Sequence, residues 1–522
     1  VTGSSARSPR GNTGSPTDGR TAWTAPDYWW LSVLGVVALL ATAFLWVANR
    51  PGRMTNDSAH QLKQVLGRIP LDDWHPAIMT VSWTGLYKLT GEVSSMVLVQ
   101  IGLTFVAALL LAIYLHDLTR SRLVSSLALA IPLLPFTITF LGVLWKDVQI
   151  MIAFFVGTVL ILLAERFSTV RYPLLGLSLL FLLYGAMVRK NAFFAILPLV
   201  FLLYRAWRNG SPGLRKRLTS NRRRLLGGYT AAAVTFLLLL LGAGSAFNAV
   251  FQPKPTGQLS QVFLDDIIFT VPAQDIRAAD LPQDLEDKLL HARDVCRSKD
   301  VIWDAYWKCY GRGATGKQFE PIAYQPEVRN LWLSDVVTHP VRYAYYRAQT
   351  YARFLFVGKS EYAPITAGRH AVPADYHVQP TKADNILSDY VVELGAKTFP
   401  WFFRAWTWLA AAVAIILLLP KAKYLRPQIA ALGWSAFLYL LGYIPIVPAS
   451  DFRYSYWPAI ACTLAGVLFI ADRRLNKKPP EGSPAPAGES GRARGNTLRG
   501  HRITERVSEA RLKLGQKRVA EQ

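Results

Sequence analysis

Ten stretches of apolar residues, near 29–48, 94–115, 123–144, 148–164, 173–188, 192–204, 225–248, 401–420, 428–447 and 455–471, alternate with short charged segments along the chain. A bilayer crossing takes about 20 apolar residues, within a range of about 17–25, so these runs predict membrane-spanning helices. The runs 173–188 and 192–204 are short, and only Arg189-Lys190-Asn191 separates them. They form either one long interrupted helix or a tight pair, and charge favours the pair. The loop 165–172 carries Arg166 and Arg171, and residues 205–224 carry eight Lys and Arg residues with no acid. Loops of that kind stay on the cytoplasmic side, so the chain crosses an even number of times between them. The same rule keeps both termini and the loops holding Arg120/Arg122 and Lys421/Lys423/Arg426 inside. Residues 49–93, the turn at Lys146-Asp147, residues 249–400 and the turn at Asp451-Phe452-Arg453 then face outward.

The expected fold is therefore an all-α polytopic integral membrane protein of about ten transmembrane helices, lodged in the cell membrane. A seven-span module (29–248, with its first outer loop at 49–93) and a three-span module (401–471) flank an extracytoplasmic domain at 249–400. That domain is expected to be of mixed or helical structure, with an amphipathic stretch at 327–357 and an acidic one at 280–294. Residues 1–28 and the basic segment 472–522 read as disordered cytoplasmic tails, rich in Pro, Gly, Ser, Ala and Arg. The polar leader before the first run lacks the small-residue cleavage pattern of a signal peptide.

Composition agrees with lipid. Charged residues make up 18% of the chain and hydrophobic ones 52%, against about 25% charged in ordinary soluble domains. The net charge of +24 suggests nucleic acid until it is located. Residues 249–400 hold 17 Lys/Arg and 18 Asp/Glu, and the excess lies in the short loops and the tail, where 472–522 has a net of +7. That is the positive-inside bias, not one basic face on a folded domain, so no nucleic-acid partner is expected. Cys296 and Cys309 lie together in the outward segment, where an oxidising compartment predicts a disulfide, and Cys462 sits alone in the last span. No Cys or His spacing resembles a zinc site.

Ionisable residues close to a membrane need a reason, and here they gather at the outward ends of the spans. They are Asp57, the run Asp72-Asp73-Trp74-His75, Lys146-Asp147, Arg189-Lys190 and Asp451/Arg453. Each also has a purely structural reading. Asp57, Asp72 and Asp73 suit helix N-termini, His75 can be an interfacial histidine, Lys146 and Asp147 can pair with each other, Arg189 and Lys190 can anchor at the interface, and Arg453 can form a surface pair. Brought together, they would suit a phosphorylated lipid carrying a sugar. A carboxylate takes the proton from an acceptor hydroxyl that attacks the sugar C1. Lys and Arg, with or without a divalent cation such as Mg or Mn, stabilise the departing phosphate. Asp57, Asp73 and Asp147 are the catalytic candidates. His75, Lys146, Arg189, Lys190 and Arg453 are the substrate-binding candidates.

The run Asn56-Asp57-Ser58, then about fifteen residues of amphipathic sequence, then His75-Pro76-Ala77-Ile78 and Leu86-Tyr87-Lys88-Leu89-Thr90-Gly91, resembles the glycosyltransferase C (GT-C) superfamily. It is most similar to bacterial relatives of the dolichyl-phosphate-mannose protein mannosyltransferases. The likeness covers roughly 25–205 and the rest in layout. It implies a GT-C-like fold, Asp57 as catalytic acid residue of the first outer loop, and a polyprenyl-phosphate-linked sugar as donor. The family often has Asp-Glu where this chain has Asp57-Ser58, and a second proline where it has Ala77. The implied activity is transfer of a hexosyl or pentosyl group to an extracytoplasmic glycan, lipid or protein acceptor. A transporter or flippase of a lipid-linked envelope precursor, and a glycan polymerase or ligase, stand as alternatives.

Overall fold

The computed structural model describes residues 23–189, 191–211, 213, 221–311, 319, 324–357, 372–377 and 381–477. The described residues are helical, and β-type pairing among them is confined to two isolated bridges, Arg53 with Val143 and Asp72 with Lys254. Six helices are long and apolar enough to cross a membrane: Ala25–Asn49, Ser95–Thr119, Lys146–Arg166, Arg171–Val188, Arg222–Phe251 and Phe452–Asn476. Counting one bent pair raises the number to seven. Such a set fits a membrane protein. Lys146–Arg166 is wholly enclosed by its neighbours, whereas Arg222–Phe251 is almost entirely uncovered. Its bare face carries Val234, Leu237, Leu238, Leu239 and Leu241; in water that would be an exposed apolar patch, and in lipid it has a solvent.

The remaining apolar runs depart from a uniform span in instructive ways. The stretch 123–144 is two helices, Arg122–Leu133 and Pro135–Leu141, bent by 46°. Pro135 has no N–H to give and pushes Leu134 out of the helical region, to ψ 141°. The stretches 192–204, 401–420 and 428–447 become Ala192–Asn209, Ala405–Leu418 and Arg426–Leu441. The first ends in a polar turn containing Arg205 and Arg208, and the other two are 14 and 16 residues long. Arg171–Val188 and Ala192–Asn209 are separate helices packed on each other, as the charge of their flanking loops requires. The first helix starts at Ala25, inside the stretch expected as tail, because the Asp27 carboxylate accepts the Thr24 N–H at 2.9 Å. The tails before residue 23 and after 477 lie outside the described residues.

Packing is tightest around the central helix. A Cβ on Gly185 would lie 2.7 Å from the Phe154 ring, so the helices Lys146–Arg166 and Arg171–Val188 approach at a point only glycine allows. Trp457 donates its indole N–H to Ser435 Oγ at 3.0 Å, and Ser435 donates to the Ala195 carbonyl at 2.6 Å. This buried polar chain ties three helices together. At one end of the bundle, acids meet the basic loops: Asp117 pairs with Arg166, Glu165 with Arg205, and Asp472 accepts N–H groups of Lys423, Tyr424 and Leu425.

The segment 249–400, expected as one domain, divides in two. Residues between 264 and 336 have their own core of Leu264, Ile267, Ile268, Leu285, Leu289, Val328 and Leu331. The Cys296–Cys309 disulfide, with Cα atoms 5.0 Å apart, is set into that core. The acidic stretch lies in the helix Gln283–Ser298. The amphipathic stretch spans Gln325–Leu331, a π-helical turn at Trp332–Val336 and the helix Pro340–Phe356. From Phe354 onward the chain instead joins the bundle core through Phe354, Leu387, Val391 and Phe403. Its apolar faces are too short to bury each other, and the bundle covers them. Two polar contacts fasten it there: Arg53 pairs with Asp384, and Tyr390 donates to the Leu133 carbonyl at 2.9 Å.

Candidate active site

The loop after the first helix is laid against the turn that begins the central helix. Arg53 N–H donates to the Gly142 carbonyl at 3.0 Å, and Leu144 N–H returns to the Arg53 carbonyl at 2.9 Å. Gly142 is required because a Cβ there would meet Asn49 Oδ1 at 2.1 Å, and that oxygen accepts from Arg53 Nε at 2.6 Å. Further along, Trp145 donates its indole N–H to Thr55 Oγ1 at 2.7 Å, and Ser58 Oγ donates to the Leu144 carbonyl at 2.7 Å. The short helix Asn56–Val65 is thereby fixed with its first turn beside Lys146. Asp57 sits in that first turn, where a carboxylate is favoured by the unpaired N–H groups.

A cavity of about 520 Å³ opens at this end of the bundle, within the size range of small-molecule sites. Asp57, His75, Lys146, Arg189 and Arg453 all line it, so five separate segments of the chain converge there. Arg453 is held on every side. Its Nη1 is 3.2 Å from Asp57 Oδ2, its Nε 3.2 Å from Asp451 Oδ2, and its guanidinium lies 4.7 Å over the Trp145 ring. Arg189 pairs with Asp147 and lies 4.8 Å over the Tyr454 ring and 5.4 Å over Tyr443. Lys146 and Asp147 do not pair with each other. With Asp147 given to Arg189, Lys146 has no hydrogen bond or ion pair among the described residues. Burial opposes ionisation of Asp57, but His75, Arg453 and Lys146 around it, with the Arg453 hydrogen bond, hold its carboxyl well below the usual range. Burial pushes His75 down to about 4 against the pull of Asp57, so its ring is neutral near pH 7.

Two of the three acid candidates lie behind the cavity wall. Asp73 does not line it: its Oδ1 accepts the Thr256 N–H at 2.7 Å and Oγ1 at 2.6 Å, fastening the first loop to residues 254–256. Asp147 is buried and pairs with Arg189, which does line the cavity. Lys190 lies outside the described residues. Sequence reasoning passed over three further features. His60 hydrogen-bonds Asp72 at 2.9 Å and meets the His75 ring edge at 5.5 Å. Asn191 is buried against the cavity with neither side-chain atom bonded among the described residues. The third is which residues of the 249–400 segment, a segment that reads from sequence as an acceptor-binding cap or a structural lid, reach the cavity: Thr256, Gln258, Leu259, Gln261, Val262 and Asp304–Trp307. The helical spacing of His60 and Gln64 on the loop helix was the signal for the first; the other two carry no local pattern.

No three His, Cys, Asp or Glu side chains group as metal ligands among the described residues. The nearest acids are already matched, Asp57 by Arg453 and Asp72 by His60. This donor set does not fit a resident divalent ion. Comparison with known protein families, with characterised proteins and with solved structures finds no match.

Proposed function

We propose that the chain is a multi-pass membrane glycosyltransferase, GT-C-like, with about ten spans, both termini in the cytoplasm and its cavity opening on the outer face. It transfers a sugar from a polyprenyl-phosphate-linked donor to an acceptor of the cell envelope. One observation supports this above all: a carboxylate, Asp57, shares a cavity with three cations, of which Lys146 has no protein partner among the described residues. A hydroxyl to be deprotonated and a phosphate to be released need those groups side by side.

The acceptor hydroxyl oxygen attacks C1 of the donor sugar as its proton passes to the Asp57 carboxylate. The new O–C1 bond forms, the C1–O bond to phosphate breaks, and the electron pair leaves on the phosphate oxygen. The donor diester carries one negative charge and the departing monoester gains a second. Lys146 meets that second charge as an uncommitted point charge, and Arg189 offers a fork aligned by Asp147. Arg453 has a dual part. With the cavity empty of donor it neutralises Asp57; a phosphate that engages Arg453 relieves the carboxylate of its counter-charge and raises its basicity. His75, neutral and beside Asp57, supplies a hydrogen bond without adding charge.

The test is transfer in membranes from cells expressing the chain, supplied with radiolabelled polyprenyl-phosphate sugars. Label moving from lipid to a new glycosidic product, and only in membranes containing the chain, is the expected result. Labelled donor that changes leaflet without any glycosidic product would make it a flippase instead.

A further inference from the structure

Several side chains on the cavity wall have hydrogen-bonding capacity that the protein leaves unused. Among the described residues, six other glutamines that are not exposed are bonded, and the half-buried Gln349 is not. Gln61 donates to Thr80, Gln64 to Pro70, Gln100 to Leu141, Gln149 to Gln100, Gln325 to Thr256 and Gln428 to Glu165. Gln258 and Gln261, both lining the cavity, make no side-chain bond among the described residues. The buried Asn191 amide is likewise unpaired at both atoms among the described residues. A buried amide without a partner is costly, which holds for Asn191; Gln258 and Gln261 are half-buried and keep groups that can donate to and accept from a ligand in the cavity.

Aromatic rings stand among these amides. Trp74 and Trp307 line the cavity, and neither indole N–H has a partner among the described residues. Trp307 is 48% exposed although its ring packs edge-on against Tyr306 at 5.2 Å. The segment that carries it is braced at both ends. Asp304 N–H donates to the Pro448 carbonyl at 2.9 Å, and Cys309 is bonded to Cys296. Between these anchors runs the π-helical turn Tyr306–Tyr310, a form found often at functional sites. A second part of the wall, Gln258–Gln261, follows Gly257, whose φ of +62° and whose contact with Gln325 exclude a side chain.

We propose that this wall is a carbohydrate subsite: Trp74 and Trp307 take the C–H faces of a sugar, and Gln258 and Gln261 bond its hydroxyls. Sugars alone among envelope acceptors combine a flat apolar face with a rim of groups that donate and accept at once. A lipid acceptor would leave the amides unpaired, and a peptide would offer one donor and one acceptor per residue without the stacking face. The inference rests on the proposed transfer only in calling the sugar an acceptor; the binding stands apart from it. It narrows the acceptor class from glycan, lipid or protein to a glycan.

The experiment uses the full chain in nanodiscs, with saturation-transfer NMR and equilibrium binding of a panel of tritiated trisaccharides and, in parallel, Ser- and Thr-containing hexapeptides. At least one trisaccharide binds the wild type. Trp307→Ala weakens that binding about tenfold, as loss of one stacked ring and its contacts implies. Trp307→Phe restores most of it, and Trp401→Ala, at a residue that does not line the cavity, leaves it unchanged. Binding of peptides in preference to saccharides, binding of neither, or saccharide binding indifferent to both Trp307→Ala and a Gln258→Ala/Gln261→Ala pair overturns the proposal. Saccharide binding that depends on Trp307 in a chain that transfers no sugar upholds the subsite and removes the transferase.

Discussion

Lys146 is the cavity cation without a protein partner among the described residues, and Lys146→Met is therefore the most informative single change. Methionine keeps the unbranched length of the side chain and removes its charge. The other cations are committed, Arg189 to Asp147 and Arg453 to Asp57 and Asp451, so neither replaces the lost charge without breaking a pair. Two unit charges about 4 Å apart are worth about 4 kcal/mol at an effective dielectric constant of about 20. Only the charge that develops on the leaving oxygen counts toward kcat. If roughly half a unit has appeared at the transition state, the loss is about 2 kcal/mol, or ~30-fold in rate. The donor diester is already charged, so its KM rises too. The assay is initial-rate transfer at varied donor with purified protein in nanodiscs. Lys146→Arg, which keeps the charge and changes its shape, recovers most of the rate. A Lys146→Met enzyme within about twofold of wild type in kcat would refute the role of this lysine as the receiver of leaving-group charge.

Other consequences follow from the surroundings of the site. Arg53, almost fully buried, joins the first loop to Asp384, so Arg53→Met breaks a buried ion pair and lowers stability by up to about 3–5 kcal/mol. Arg53→Met combined with Asp384→Leu regains a large part of that, as thermal unfolding in detergent will show. His75 carries its folded-state pKa down to about 4 from an ordinary value of 6.5. The unfolded chain therefore binds the extra proton first, and the stability due to a neutral His75 is present above pH 6.5 and is lost as pH falls toward 4. Relative to wild type, His75→Gln gains up to about 3 kcal/mol across that window, read from denaturation midpoints at a series of pH values.

The apolar runs announced the helices because a run long enough to cross lipid has few other uses. Their ends were less legible. The break at Leu134-Pro135 lay in the middle of a run that hydropathy reads as continuous, and only the backbone demands of proline divide it. Topology alone points the outward charges to one site, and Asp57, His75, Lys146, Arg189 and Arg453 do line one cavity. Which acid pairs with which base was not legible. Lys146 and Asp147 are neighbours in sequence, but successive residues on a helix point apart, and Asp147 meets Arg189 from the next turn of the fold. Asp73 looked equivalent to Asp57, yet its carboxylate is occupied by Thr256, 183 residues away. Which residues of the 249–400 segment line the cavity was hidden for the same reason: Gln258 and Trp307 are far apart in sequence, and the stretch carrying Trp307 is held by the Asp304–Pro448 hydrogen bond and the Cys296–Cys309 disulfide. Long-range pairing of that kind leaves no periodic trace.

The measurement that bears most directly on the transferase account compares Asp57→Asn with Asp73→Asn in the radiolabelled transfer assay. Asparagine keeps the shape of each side chain and removes the base. The account predicts that Asp57→Asn lowers kcat by at least about a hundredfold, the usual worth of a positioned general base. Asp73→Asn, which changes only the tie to Thr256, keeps most of the rate. Full transfer by Asp57→Asn, or a greater loss on changing Asp73 than Asp57, would contradict it.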